Sequence, residues 1–112
     1  MDKIALKERI IHIHKAILLI EQFVDSVSEP LFLEDIKLQS AVQYQFLIIG
    51  EAVKYIDISI LERYPYPWHI PRSFRNFIIH EYHGVKMERI FYAANDLLLL
   101  KSKIEMILKQ EC

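Results

Sequence analysis

Side chains able to do chemistry concentrate between Arg72 and Gly84, in the stretch Arg-Ser-Phe-Arg-Asn-Phe-Ile-Ile-His-Glu-Tyr-His-Gly. On a helix with about 100° per residue, six of them and the apolar Ile79 fall within an arc of about 160°. In angular order they are Tyr82, Arg75, Ile79, Arg72, His83, Asn76 and His80. Guanidinium, amide, imidazole and phenol groups on one face are suited to holding a phosphate and moving a proton.

Two other interpretations of these polar groups stay open. Arginine and histidine on the polar side of an amphipathic helix often form only a solvated surface. A metal held by His80 and His83 would lack a carboxylate or cysteine in the same arc, because Glu81 points away. His12 and His14 are about 200° apart on a helix, so they cannot share one metal either. We therefore expect no metal site.

The elements that position this stretch are predicted to be helices. Helical spacing of apolar residues predicts helices over residues 2–27, about 35–56 and about 86–110, with the motif helix over 72–84. Pro30 is expected to end the first helix, and a short helical turn capped by Asp57 or Ser59 runs through Arg63. Pro71 favours the start of the motif helix and Gly84 its end.

The chain shows no alternation typical of strands. We therefore predict one all-α domain over residues 1–112, an up-and-down bundle of four main helices plus a short connector helix. Trp68 is expected in the core, although Tyr64, Tyr66 or Trp68 could also stack on a nucleobase.

Residues 50 and 51 of the second long helix are informative. Gly50 costs about 1 kcal/mol relative to alanine inside a helix, so we expect another helix backbone to approach closely there. Glu51 is either solvated or paired with an arginine of the motif helix.

The last helix carries more apolar residues than one core-facing stripe needs. They are Ile90, Phe91, Ala94, Leu97, Leu98, Leu99, Leu100, Ile104, Met106, Ile107 and Leu108. A self-associating dimer interface is the simplest way to cover the excess.

Composition excludes several classes of protein. With 112 residues, 53% of them hydrophobic, the chain can bury a core, and its longest apolar runs are far too short to span a membrane. A single cysteine, Cys112, suits a reducing compartment, and we expect a cytoplasmic protein. The net charge of −1 argues against avid nonspecific binding of nucleic acid, but residues 63–80 contain three arginines and no acid.

The motif Arg75-x4-His80-x-Tyr82, with Asn76 beside the arginine, resembles the signature of HepT-like toxins. These belong to the HEPN (higher eukaryotes and prokaryotes nucleotide-binding) superfamily of ribonucleases. The segment Ile-Ile-Gly-Glu-Ala-Val-Lys at 48–54 and the connector Tyr-Pro-Tyr-Pro-Trp at 64–68 resemble further parts of the family pattern. Together the matching parts cover roughly residues 40–92.

The resemblance implies cleavage of RNA without a metal or other cofactor. His80 would move a proton, since imidazoles ionise near neutral pH, and Arg75 would clamp two phosphate oxygens. Asn76 could orient the imidazole or the substrate, while Arg72 and His83 add positive charge and proton-transfer capacity to the same face.

The resemblance also implies partners. One motif supplies a single motif histidine, and in the family a two-fold homodimer brings two motifs to one cleft. A nucleotidyltransferase antitoxin of the MNT type would transfer adenylyl groups to Tyr82 and so switch the toxin off. The alternative is a noncatalytic helical module that binds a nucleotide or a partner, but the intact Arg75, His80 and Tyr82 favour the ribonuclease.

Overall fold

The fold is all-helical, as the sequence predicts. A computed structural model describes residues 1–81 and 84–112, and within these residues it contains seven helices and no strand. They are α1 (Lys3–Val24), α2 (Glu29–Glu34), α3 (Ile36–Lys54), α4 (Ile58–Leu61), α5 (His69–His80), α6 (Met87–Ala94) and α7 (Leu98–Glu111).

Side-chain caps fix the starts of the first three helices. The Asp2 carboxylate accepts a hydrogen bond from the Ala5 amide at 2.8 Å, and Asp35 accepts one from the Leu38 amide at 3.0 Å. Each bond satisfies one of the amides that have no partner in the first turn of a helix. The weaker cap, Ser28 to the Leu31 amide, is 3.4 Å long and begins α2.

Helix α2 occupies residues that the prediction leaves between the first two long helices. Pro30 does not follow α1 as a terminator but lies in the first turn of α2, behind the Ser28 cap. Proline is tolerated there because the amide it lacks would have no helical partner. The Phe32 ring of this short helix is fully buried and meets Phe91 at 5.4 Å between centroids.

The predicted connector helix is present as α4, but it ends at Leu61 and not at Arg63. The predicted cap is wrong, because Asp57 at its start makes no side-chain cap and its carboxylate instead pairs with the Met1 amino group at 2.7 Å. Trp68 joins α4 to α5. The indole nitrogen of Trp68 donates to the carbonyl oxygens of Leu61 and Tyr64 at 3.1 and 3.0 Å. Tyr64 is buried, and its hydroxyl donates to Glu111 at 2.7 Å. Burial, with the Glu111 contact second, raises the pKa of Tyr64 to about 12. These bonds tie the connector to the end of α7.

The prediction of a single long helix over residues 86–110 is wrong, because residues 95–97 separate two shorter helices. The Asn95 side chain donates to the Phe91 carbonyl oxygen at 2.9 Å, a local bond that competes with continuation of the helix. Both α6 and α7 bury apolar residues. Ile90, Ala94, Leu97, Leu100, Ile104 and Ile107 are in the core, whereas Leu98, Leu99 and Met106 remain exposed.

Helix α3 is central. It packs against α1 on one side and α5 on the other, while α7 packs mainly against α1 and α6 contacts α2 and α3. The core between them is rich in isoleucine, including the fully buried Ile10, Ile17, Ile49 and Ile104. None of the helices in the described ranges has the length and apolar character needed to cross a bilayer.

Candidate functional site

Gly50 allows the motif helix to lie directly on α3. A Cβ atom at this position would be 2.7 Å from the Pro71 carbonyl oxygen and would also collide with the side-chain stem of Arg75. The close approach predicted from the glycine is therefore between α3 and α5. It places the guanidinium of Arg75 next to Glu51, the residue that follows Gly50.

Arg75 is held from two directions. Its Nη2 atom lies 2.9 Å from Oε2 of Glu51, an ion pair whose angle is not that of a hydrogen bond. Its Nη1 atom donates a hydrogen bond of 2.9 Å to Oδ1 of Asn76. Only 26% of the Arg75 side chain is exposed. Of the two possibilities for Glu51, the structure shows the pairing with the motif arginine.

The other predicted site residues occupy the exposed side of α5. Arg72 and Asn76 are exposed, and His80 is exposed as the last residue of the helix. His80 is about 140° around the helix and about 7.5 Å along its axis from Arg75, so one copy does not bring the two side chains together. Asn76 binds Arg75 through its side-chain carbonyl oxygen.

The motif helix is displaced by one turn from its predicted bounds. It begins at His69, so Pro71 is its third residue, and it ends at His80, where the Glu81 amide bonds the Phe77 carbonyl oxygen. Proline is accepted throughout the first turn, which explains the earlier start. Tyr82 and His83 lie outside the described residues.

A groove of about 370 Å³ runs beside Arg75, between α1 and α5, with α3 as its floor. Its polar lining is Arg9 and His12 from α1, Glu51 from α3 and Arg75 from α5. Leu47, Ile48, Ala52 and Ile79 supply the apolar lining. Sequence reasoning did not connect α1 with this site. The only signal was that Arg9 and His12, three residues apart, share one face of a helix.

The positive patch is smaller than the sequence suggests. Arg63 is turned away from the motif and pairs with Glu111 at 2.6 Å, and Arg75 pairs with Glu51. Arg72 is the third arginine of residues 63–80, and no carboxylate of the described residues lies within 4 Å of it. Arg89 on α6 adds a further cation, with its guanidinium 4.5 Å from the centre of the Phe77 ring.

The aromatic residues of the connector serve the fold. Tyr64 is buried and Trp68 is half-buried, and the polar atoms of both are hydrogen-bonded. Tyr66 stacks at a tilt against Trp68, with centroids 4.8 Å apart. The part of the chain that the structure describes contains no group of three or more histidine, cysteine or acidic side chains arranged to hold a metal.

Comparison with known proteins gives a family match over most of the chain. A family model described as "Ribonuclease HepT-like" matches residues 13–107. A Thermococcus cleftensis protein named a probable ribonuclease HepT is 35% identical over 105 residues, which are 92% of this chain and 96% of that protein.

Two Methanocaldococcus jannaschii proteins are also similar. One, whose name combines a gamma-glutamylcyclotransferase with a proposed RNase, is 32% identical over 101 residues, or 88% of this chain and 46% of that protein. The other, named as a proposed RNase, is 36% identical over 70 residues, or 62% and 58%. The chain thus spans about half the length of these two relatives. No solved structure matches it.

Proposed function

The chain belongs to the HepT-like ribonuclease family, and from that membership we propose that it is a metal-independent endoribonuclease and the toxin of a toxin–antitoxin pair. Arg75 and His80 are its catalytic residues, with Asn76, Arg72 and His83 in support.

The observation that carries the proposal is the fixed position of Arg75. Glu51 and Asn76 each engage one terminal nitrogen of its guanidinium, which holds the planar group at the rim of the groove. A guanidinium has five N–H donors, so donors remain for a phosphate after both contacts are made. A cation that is already oriented stabilises a developing negative charge without reorganising during the reaction.

The reaction that fits is transesterification within the RNA backbone. One imidazole takes the proton from a 2′-hydroxyl, whose oxygen attacks the adjacent phosphorus. The bond to the 5′-oxygen breaks, and a second imidazole, initially protonated, gives its proton to that oxygen. The products are a 2′,3′-cyclic phosphate and a 5′-hydroxyl, with Arg75 neutralising the phosphorane between them.

The proposal takes the second imidazole from a second copy of the chain, because each motif contributes one catalytic histidine, His80 at the end of α5. The dimer surface should therefore adjoin the polar face of α5. Tyr44 on α3 is 62% exposed and lies about 20° around that helix from Glu51. Leu99 is also exposed, but it lines a depression with Ile70 and Phe74 on the apolar side of α5. We therefore assign Tyr44, and not Leu99, to the dimer surface.

The proposed antitoxin is a nucleotidyltransferase that adenylylates Tyr82. This step rests on family membership and on the sequence position of Tyr82, two residues after His80. Each adenylyl group would add a phosphate with negative charge, which would compete with the substrate phosphate for Arg75.

The test uses the purified protein and a 5′-labelled single-stranded RNA in a buffer with excess EDTA. We expect fragments that end in a 2′,3′-cyclic phosphate, and we expect DNA of the same sequence to stay intact because it lacks the 2′-hydroxyl. An RNA with 2′-O-methyl groups at the cut positions should also resist.

Three results would contradict the proposal. They are loss of cleavage in EDTA, equal cleavage of the DNA, and binding of RNA without cleavage by fully folded protein. The last result would identify the chain as a noncatalytic binding module.

A further inference from the structure

We infer that the groove between α1 and α5 is a second nucleotide subsite, in which Arg9 and His12 bind the phosphate next to the one that is cut. The inference rests on the proposed ribonuclease function. It adds two substrate-binding residues from α1, a helix that the motif does not include.

The charge of the groove suits a phosphate. Two guanidiniums and one imidazole line it, against the single carboxylate of Glu51, which is already paired with Arg75. Arg9 and His12 lie about 60° apart on α1, so both side chains emerge on the α3 side of that helix. The protein as a whole is slightly acidic, with a net charge of −1, so this concentration of basic groups is local.

Arg9 is oriented by an aromatic ring. Its guanidinium carbon is 5.0 Å from the centre of the Tyr55 ring, a cation–π distance. A cation–π contact uses none of the hydrogen-bond donors of the guanidinium, so its N–H groups stay available for a phosphate. No carboxylate in the described residues lies within 4 Å of Arg9.

The size and floor of the groove suit one nucleotide unit. A volume of about 370 Å³ is within the range of pockets that hold small organic ligands. Leu47, Ile48 and Ala52 form an apolar floor on α3, against which a ribose or base can rest. Arg75 stands at the boundary of the groove and can contact both this phosphate and the one that is cut.

The experiment measures binding of a fluorescein-labelled single-stranded oligoribonucleotide by anisotropy, in a His80→Ala background that prevents cleavage. Salt is varied between about 50 and 200 mM, because each phosphate contact on a single strand contributes about 0.7 to the slope of log K against log salt. The variants are Arg9→Ala and His12→Ala. Lys7→Ala is the control, since Lys7 is exposed and lies about 200° around α1 from Arg9.

We expect Arg9→Ala to weaken binding about tenfold and to reduce the salt slope by about 0.7. His12→Ala should weaken binding by a smaller factor, and Lys7→Ala should match the parent. Equal affinity and slope for parent and a folded Arg9→Ala variant would overturn the subsite, as would absence of RNA binding by the parent. RNA binding with the expected Arg9 effect, but no cleavage by the unmutated chain, would refute the ribonuclease proposal and retain the subsite.

Discussion

Arg75 is the residue that connects the fold to the proposed chemistry. Its stem fills the space left by Gly50, and its guanidinium meets Glu51 and Asn76. The same side chain thus contributes to the packing of α5 on α3 and places a cation at the groove. His80 makes no such contribution to the packing of the helices, because it is exposed at the end of α5.

Replacement of Arg75 by alanine should therefore reduce stability as well as activity. The change leaves the buried Oε2 atom of Glu51 without its cation. Because 41% of the Glu51 side chain is exposed, we expect a loss of only about 1 kcal/mol in the free energy of unfolding. Urea titration followed by circular dichroism measures it.

Arg72→Ala is the matched control for this stability measurement, since Arg72 is an exposed arginine on the same helix. It should unfold within about 0.5 kcal/mol of the parent. A second substitution, Glu51→Gln, should recover part of the loss in Arg75→Ala. Identical stability of Arg75→Ala and the parent would show that the ion pair contributes nothing to the fold.

Tyr82 is the residue at which the proposed regulation is tested. After incubation with the cognate nucleotidyltransferase and ATP, intact-mass spectrometry should detect adenylate additions that abolish RNA cleavage. Tyr82→Phe should show no additions and should keep its ribonuclease activity. Additions that persist in Tyr82→Phe would place the modification on another residue.

The contact between α3 and α5 determines where the site lies. Phe46 and Phe74 meet edge to face at 4.9 Å on one side of the contact, and Glu51 and Arg75 pair on the other. Gly50 lies between them and sets the distance between the two helices.

Gly50→Ala should force these helices apart. The added methyl group would meet a backbone carbonyl oxygen that cannot move without its helix, so we expect destabilisation of about 1–3 kcal/mol despite the better helix propensity of alanine. The rate of RNA cleavage should fall as well, because the substitution displaces Arg75.

The chain's other glycine provides the control. Among the described residues, a Cβ at Gly84 would meet only the Glu81 carbonyl oxygen, at 3.7 Å, and neither described glycine has a positive φ. Gly84→Ala should therefore stay within about 0.5 kcal/mol of the parent by urea titration. Equal effects of the two substitutions would refute the role given to Gly50.

Sequence reasoning succeeded where local patterns decide the structure. The long helices follow from apolar spacing, and the close approach at Gly50 follows from the cost of glycine in a helix. It failed at Pro30 and at Asn95, because a proline can begin a helix as well as end one, and an asparagine inside a helical pattern gives no fixed signal.

The candidate site, too, could be predicted only in part from the sequence. The residues on α5 could be found from their spacing, since they share one helix. The Glu51 pair and the contribution of Arg9 and His12 depend on how three helices are placed against one another, which helical periodicity does not specify.

The proposed site needs two copies of the chain. Light scattering at micromolar concentration should give twice the 13.4 kDa mass of one chain. Tyr44→Asp should shift the protein towards the monomer, because it places a charge on the surface that we assign to the dimer. Leu98→Asp, at a 77% exposed position away from that surface, should leave the mass unchanged. If Leu98→Asp were monomeric and Tyr44→Asp dimeric, the interface would lie on α7. A parent protein that is a monomer would contradict the composite site.

The most direct test of the account compares the rate of RNA cleavage by His80→Ala and His69→Ala with that of the parent. Both histidines are exposed and lie on α5, one at each end, so neither substitution should change the circular dichroism spectrum. We predict that His80→Ala loses about 10²–10⁴-fold in rate, the usual contribution of an acid–base group, while His69→Ala cuts like the parent. A folded His80→Ala variant that cleaves RNA at the parental rate would contradict the assignment of this site.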